Sequence, residues 1–145
     1  MTPRYSHTQV GWVIIAFVLG ALVIISMVLI LHEFHWIAFL AATVLLIALL
    51  LFASLTVLGH ETYLEIRFGI GLVRKKFALK DIQSCKKVRN SPAYGFGIRL
   101  IPGGWLYNVS GLDAVELQMK NGKKYRIGTD VPDELLRFIQ EKIQS

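Results

Sequence analysis

The chain has 145 residues, 54% of them hydrophobic, and its mean hydropathy is +0.51. These values exclude an ordinary soluble domain, and the length excludes a transporter with many helices. The formal net charge is +6, yet among the 16 Lys and Arg residues only Arg4 precedes Gly59. The basic composition raises nucleic acid as a partner, but no helix-turn-helix, zinc-finger or aromatic RNA-binding signature accompanies it. We therefore expect a small membrane protein with one basic domain and no nucleic-acid partner.

Residues 1–9 are predicted to be a short lead-in with little structure. Residues 10–58 are predicted to form a transmembrane hairpin of two apolar runs, 10–31 and 36–58, neither of which contains Asp, Glu, Lys or Arg. Each run would reach about 33 Å as a helix, enough to cross a hydrocarbon core of about 30 Å. The polar insert at 32–35 has room only for a tight turn. A cleaved signal peptide fits the first run poorly, because its apolar region would span only about 7 to 15 residues.

The charge distribution also predicts the topology of this hairpin. Because Lys and Arg concentrate after residue 59, that segment and the N-terminus are expected to be cytoplasmic, in a multi-pass arrangement. Trp12 and Trp36 are expected to mark the membrane interfaces, where indole rings are favoured. Small residues spaced four apart predict helix packing within the hairpin, with homodimerisation as the alternative; they are Ala16, Gly20, Ala38 and Ala42.

The apolar period falls from helical to two after residue 61, which is typical of half-buried strands. Seven short strands are predicted, at 62–68, 72–79, 82–89, 96–100, 105–109, 115–119 and 125–127. Asn121-Gly122 favours a type I′ hairpin turn. Pro132 suits the first turn of a helix, and the apolar residues that follow at helical spacing predict one amphipathic C-terminal helix.

This pattern predicts an α+β membrane protein: a transmembrane helical hairpin, then at 59–145 a seven-stranded, partly open antiparallel β-barrel capped by the C-terminal α-helix. Four stretches carry a resemblance to known proteins: 97–111 (GIRLIPGGWLYNVSG), 114–116, Asn121-Gly122 and 127–132. They resemble the bacterial pleckstrin-homology-like (PH-like) domains of small membrane proteins with an N-terminal two-helix hairpin. The resemblance implies a PH-type barrel in a bacterial cytoplasmic (inner) membrane, and it names a fold more firmly than an activity.

No catalytic arrangement is recognisable, so an enzyme, a cofactor and a metal are not predicted. His32, Glu33 and His35 lack the spacing that places two imidazoles on one helical face, and a solvated turn is the simpler interpretation. Ser110 and Cys85 are nucleophilic types, but no histidine and carboxylate accompany either of them in a recognisable pattern.

Basic clusters are the remaining functional signal. The candidate lipid-surface contacts are Arg74, Lys75, Lys76, Lys86, Lys87, Arg89, Lys123 and Lys124. The alternative interpretation is a solvated outer face, which every small domain needs. Trp105 and Tyr107 are expected in the core, because they alternate along one strand with Val109. Tyr94 lies in a Pro-containing loop, where its ring is a candidate contact for lipid or a protein partner.

The sequence therefore predicts a non-enzymatic membrane-anchored module that acts as a scaffold or interaction domain, with a protein partner or self-association. The alternative is recognition of anionic lipid headgroups by the basic face. A small oligomeric transport protein is a remote third possibility, because the apolar runs offer few polar side chains: Ser26, Thr43, Ser54 and Thr56.

Overall fold

The computed structural model describes residues 3–31 and 35–144, in which the chain forms nine strands and three α-helices. The helices are α1 (Trp12–Leu31), α2 (Trp36–Phe52) and α3 (Pro132–Gln144). The strands are β1 (Tyr5–Val10), β2 (Ser54–Gly59), β3 (Tyr63–Phe68), β4 (Val73–Ala78), β5 (Ile82–Arg89), β6 (Gly97–Ile101), β7 (Gly104–Asn108), β8 (Asp113–Met119) and β9 (Lys124–Gly128). The α+β class and the C-terminal helix are confirmed.

The strands form two sheets, with orders β1-β2-β3-β4 and β5-β8-β9-β7-β6. All seven strands predicted after residue 61 are present. The prediction of wholly antiparallel strands was wrong, because β7 and β9 run parallel. The described strands divide between two sheets, and these do not form a closed barrel. β9 lies between β8 and β7, pairing antiparallel with β8 across the Asn121-Gly122 hairpin and parallel with β7 on its other side.

Two further strands lie where a lead-in and the end of a helix were predicted. β1 occupies most of the lead-in, and β2 replaces the last part of the second apolar run. They pair antiparallel from Tyr5 opposite Gly59 to Val10 opposite Ser54. Leu55 and Val57 of β2 are buried in the core. β2 was not predicted because a buried strand and an apolar helix have the same composition over so few residues.

The second helix is consequently shorter than predicted. α1 has 20 residues and contains an 18-residue window with a mean hydropathy of 3.2, and by length and composition it is the one described helix that qualifies as a membrane span. α2 has 17 residues, so it extends about 26 Å and falls at the lower limit of spanning length. The predicted turn at His32, Glu33 and Phe34 lies outside the described residues.

The helices join the sheets without a flexible linker. The Gly11 N–H donates to the Ala53 carbonyl oxygen at 2.7 Å, so the strand pairing continues to the base of both helices. The turn between β3 and β4 rests against α2, where the Ile70 N–H donates to the Leu50 carbonyl oxygen at 3.2 Å. Gly69 in this turn has φ +47°, and a Cβ atom there would overlap the α2 backbone. The helices are therefore attached to the sheets through β1 and β2.

The core lies between the facing surfaces of the two sheets. Phe68 from the first sheet and Leu117 from the second are fully buried there, together with Leu135 of α3. α3 packs on β5 and β8, and its Phe138 ring stacks on Tyr5 of β1 at 5.4 Å between centroids. The helix thus covers the side of the core where β1 and β5 are the edge strands. The opposite side, where β4 and β6 are the edges, has no such cover in the described residues.

Candidate ligand groove

The uncovered side of the core contains a groove of about 440 Å³ between the two sheets. We refer to it as the inter-sheet groove. The first sheet contributes its edge strand β4 and the end of β3, and the second contributes β6, β7, β9 and the hairpin before β9. Its lining consists of Phe68, Val73, Arg74, Lys75, Ile98, Trp105, Tyr107, Lys123 and Tyr125. The volume lies within the range of about 300 to 1,000 Å³ that is usual for small-molecule sites.

Strand register determines which side chains enter the groove, because directly opposite residues share one face of a sheet. Lys75 pairs with Ile66, a fully buried core residue, so the lysine lies on the inner face of the first sheet. Its Nζ atom lies 5.9 Å from the centroid of the Tyr125 ring on the second sheet. A charged residue that points inward from an edge strand also discourages pairing with another chain.

The second sheet leaves apolar side chains uncovered beside the groove. Leu100 pairs with Trp105, and Ile98 pairs with Tyr107. Tyr107 is buried at 8% exposure, whereas Leu100 is 73% and Trp105 42% exposed. The prediction that both aromatic residues of this strand belong to the core is therefore right for Tyr107 and wrong for Trp105. Trp105 lies nearer the open edge, beyond the cover of the first sheet.

The floor of the groove is aromatic. The Tyr107 and Tyr125 rings are stacked with their centroids 6.4 Å apart, and the centroid of the Phe77 ring lies 4.9 Å from that of the Tyr125 ring. Burial raises the pKa of Tyr107, and the neighbouring Tyr125 raises it further. Its hydroxyl therefore stays protonated and can donate a hydrogen bond.

The structure divides the predicted basic residues into groups instead of gathering them on one face. Lys75 and Lys123 line the groove. Arg74 borders it as well, but its pairing with Arg67 places it on the outer face of β4, where its charge helps to lower the pKa of Glu65. Lys76 also lies on the outer face of β4, with its Nζ 4.9 Å from the Tyr63 ring. Lys124 lies on the outer face of the second sheet, opposite Gln118.

The basic residues of β5 have acidic neighbours. Lys87 pairs with Asp133 of α3 at 3.0 Å, Lys86 lies 3.5 Å from Glu116, and Arg89 lies 3.9 Å from Asp113. The basic side chain of each pair is largely exposed, so these contacts contribute little stability, but they offset the positive field of β5. Lys75 and Lys123 differ, because the lining of the groove contains no Asp or Glu.

The outer face of the second sheet contains a buried ion pair that the sequence analysis missed. Arg126 donates through Nε to Glu116 at 2.8 Å and through Nη1 to Asn90 at 3.2 Å. Burial alone would raise the pKa of Glu116, but the hydrogen bond from Arg126 and its charge, together with Lys86, hold that pKa below its usual range. The alternation of apolar and polar residues could have indicated this pair, since Glu116 and Arg126 each lie between core positions of two paired strands. The pair supports the sheet and lies outside the groove.

A second, mainly apolar cavity of about 540 Å³ lies at the base of the helices. We refer to it as the helix-base cavity. Ile14, Ala48 and Phe52 line it from α1 and α2, and residues 95–99 line it from the loop and strand opposite. Ile98 borders both this cavity and the inter-sheet groove. The two spaces are therefore adjacent on either side of one side chain.

The predicted interface and packing residues have different environments. Trp12 and Trp36 each begin a helix and are 69% and 67% exposed. Ala38 and Ala42 are half-buried, whereas Ala16 and Gly20 face outward, and a Cβ atom at Gly20 would meet nothing within 4 Å. The two small-residue pairs therefore do not meet within the described helices.

The candidate reactive residues form no site in the described part of the chain. Among residues 3–31 and 35–144, no three His, Cys, Asp or Glu side chains are close enough to hold a metal ion. Cys85 is half-buried, and burial raises the pKa of its thiol, which disfavours the reactive thiolate. The Ser110 carbonyl accepts from Gln9 Nε2 at 3.0 Å, as expected for a residue in a structural turn. Tyr94 ends a short 3-10 turn and is half-buried.

No protein-family model matches this chain, and no similar curated protein was found.

Proposed function

We propose that this protein is a non-enzymatic binding module that its two apolar helices hold against the cytoplasmic face of a bacterial inner membrane. The observation that carries this proposal is the insertion of α1 and α2 between two paired strands, β1 and β2. Two continuous strands and the Gly11 to Ala53 hydrogen bond make the attachment stiff. The groove would therefore keep one distance and orientation relative to the bilayer.

Several features support the membrane topology in this proposal. The antiparallel pairing of β1 and β2 holds the first residue of α1 and the last residue of α2 on the same side, as a multi-pass hairpin with cytoplasmic termini requires. All Lys and Arg residues except Arg4 follow Gly59, which agrees with the excess of positive charge found on cytoplasmic segments. A length of 17 residues suffices for α2 if the bilayer is slightly thin or its flanking residues reach the interface.

A PH-like, partly open barrel is the finer fold that we propose for the domain. Two facing sheets and one terminal helix over one open side support this assignment. The remaining open side supports a role as a scaffold or interaction domain, because it leaves an apolar inner surface at Leu100 and Trp105 without cover. A protein partner or a second copy of the chain would bury that surface.

Photocrosslinking in native membranes tests this role. We would place the photoreactive residue p-benzoylphenylalanine at Leu100, which is 73% exposed beside the groove, or at Leu72, a matched leucine that is 70% exposed in the β3–β4 turn. The proposal predicts a discrete adduct at Leu100 that is absent at Leu72. No adduct at Leu100, or the same adducts from both positions, would contradict a binding groove.

The second candidate function is recognition of anionic lipid headgroups, and a specific observation favours it. Arg74, Lys75 and Lys123 come from two predicted basic clusters far apart in the chain, and they meet at one groove whose lining contains no carboxylate. A lipid adduct at Leu100 would support this candidate, whereas a protein adduct would support the scaffold.

A further inference from the structure

We infer that the inter-sheet groove and the helix-base cavity together form one site for a single anionic phospholipid, with the phosphate at Lys75 and Lys123 and an acyl chain passing Ile98 toward α1 and α2. This inference rests on the proposed function, because it requires the helices to lie in a bilayer. It names the ligand class of the groove.

The charge of the groove selects an anion. Lys75 lies on the inner face of its sheet, a position that elsewhere in the core holds apolar side chains. Covering its ammonium group with apolar atoms alone would carry a large desolvation cost, so a ligand there must provide negative charge or polar contacts. Lys123 adds a second positive charge at the same mouth, and the lining offers no carboxylate to offset the two lysines.

The walls of the groove select an apolar partner as well. Ile98 and Trp105 of the lining are 37% and 42% exposed, and Leu100, beside the groove on the same face of the second sheet, is 73% exposed. A small anion such as inorganic phosphate would leave these side chains uncovered. A ligand that satisfies both the lysines and this surface is an amphiphile, with an anionic group beside an apolar chain.

The neighbouring cavity indicates where that amphiphile comes from. Ile98 borders both spaces, and the far wall of the helix-base cavity is formed by Ile14, Ala48 and Phe52 of the apolar helices. An acyl chain that leaves the groove past Ile98 therefore enters surroundings that are continuous with the bilayer interior. An acidic amphipathic peptide from the cytoplasm fits the groove, but it has no reason to extend along the helices.

Two double variants of the full-length chain test the headgroup part. K75Q/K123Q removes two positive charges from the groove, and K80Q/K120Q removes two from exposed positions outside its lining. Both lower the formal net charge from +6 to +4, so they change non-specific attraction equally. The probes are dioctanoyl phosphatidylglycerol, dioctanoyl phosphatidylcholine and inorganic phosphate, titrated into the detergent-solubilised protein and followed by Trp fluorescence or calorimetry.

The inference predicts that phosphatidylglycerol binds the parent chain more tightly than either other probe does. K75Q/K123Q should weaken its binding about thirty-fold, and K80Q/K120Q less than about threefold. Equal weakening by both variants, equal affinity for phosphatidylcholine, or phosphate binding as tight as lipid binding would overturn it.

A separate experiment on the acyl chain tests the role of the helix-base cavity. Ala48→Trp would fill the helix-base cavity. It should weaken the binding of phosphatidylglycerol and leave the weak binding of inorganic phosphate unchanged. A photoactivatable acyl chain should label peptides that contain Ile14 or residues 95–99; labelling confined to other segments would overturn the assignment. A discrete protein adduct at Leu100 with no lipid selectivity would refute the lipid site but retain the binding module.

Discussion

Replacing Leu55 by alanine distinguishes a core strand from a membrane helix at that position. The hydropathy pattern predicts a lipid-facing helix through residue 58, whereas the structure places Leu55 in β2 with none of its surface exposed. Truncating a leucine in a packed core costs about 2 to 5 kcal/mol, because the lost burial is accompanied by a cavity. Truncating a leucine that faces lipid or detergent leaves no cavity. Leu50, on α2 and 56% exposed, is the matched control.

The assay is thermal unfolding of the full-length chain in a mild detergent, followed by near-ultraviolet circular dichroism. For a domain of this size, 1 kcal/mol shifts the Tm by about 4 to 8 °C, so Leu55→Ala should lower it by at least about 8 °C. Leu50→Ala should lower it by less than about 4 °C. Similar shifts for the two variants would refute the assignment of residues 54–59 to the sheet.

Three other substitutions test the ion pair, the turn beside α2 and the small-residue face. Because the pKa of Glu116 is lowered on folding, its pair with Arg126 stabilises the domain above the unfolded pKa of about 4.3, and the stabilisation is lost as pH falls through the lower folded value. Glu116→Gln should therefore lower the Tm at pH 7 and reduce the decrease of Tm between about pH 5 and 3. The same decrease of Tm in the variant and the parent chain would contradict this. Gly69→Ala should destabilise the chain more than Gly71→Ala, since both glycines have positive φ but only at Gly69 would a Cβ atom overlap backbone; equal losses of Tm would disprove the contact with α2. Gly20→Ala should leave the Tm unchanged or raise it slightly, because the added methyl group meets nothing in the described chain and alanine favours helix; a clear loss of Tm would show that Gly20 packs closely.

The sequence was most informative where the pattern has a period of two. Between residues 62 and 127 all seven predicted strands exist, because apolar residues such as Leu64 and Ile66 alternate with polar ones and glycine-containing turns separate the segments. β1 and β2 could not be predicted in the same way. β1 is polar on much of both faces, and the apolar residues of β2 continue directly from α2, so neither has a distinctive local pattern. Their pairing spans the entire helical segment, which no local pattern can reveal.

The groove was partly predictable. Val73 and Phe77 are the apolar residues that face the core from the predicted strand at 72–79, and the same alternation places Lys75 on the inner face between them. That alternation carries more information than the number of basic residues, since the neighbouring Arg74 and Lys76 lie on the outer face of the strand. The approach of Lys123 and Trp105 depends on the parallel pairing of β7 with β9. This long-range pairing cannot be read from either strand alone.

An inward lysine on an edge strand has two explanations, and Lys75→Met separates them. If Lys75 only prevents pairing with another chain, methionine should promote self-association while leaving lipid binding unchanged. If it holds an anionic group, methionine should weaken phosphatidylglycerol binding. We expect the second result, with an increase in Tm of a few degrees, because an apolar side chain over Tyr125 no longer has to keep a charge hydrated. Lys76→Met on the other face of the same strand is the control, and it should lower the Tm slightly through loss of the contact with Tyr63. Unchanged lipid affinity in Lys75→Met, together with new oligomers, would assign the residue to protection of the sheet edge alone.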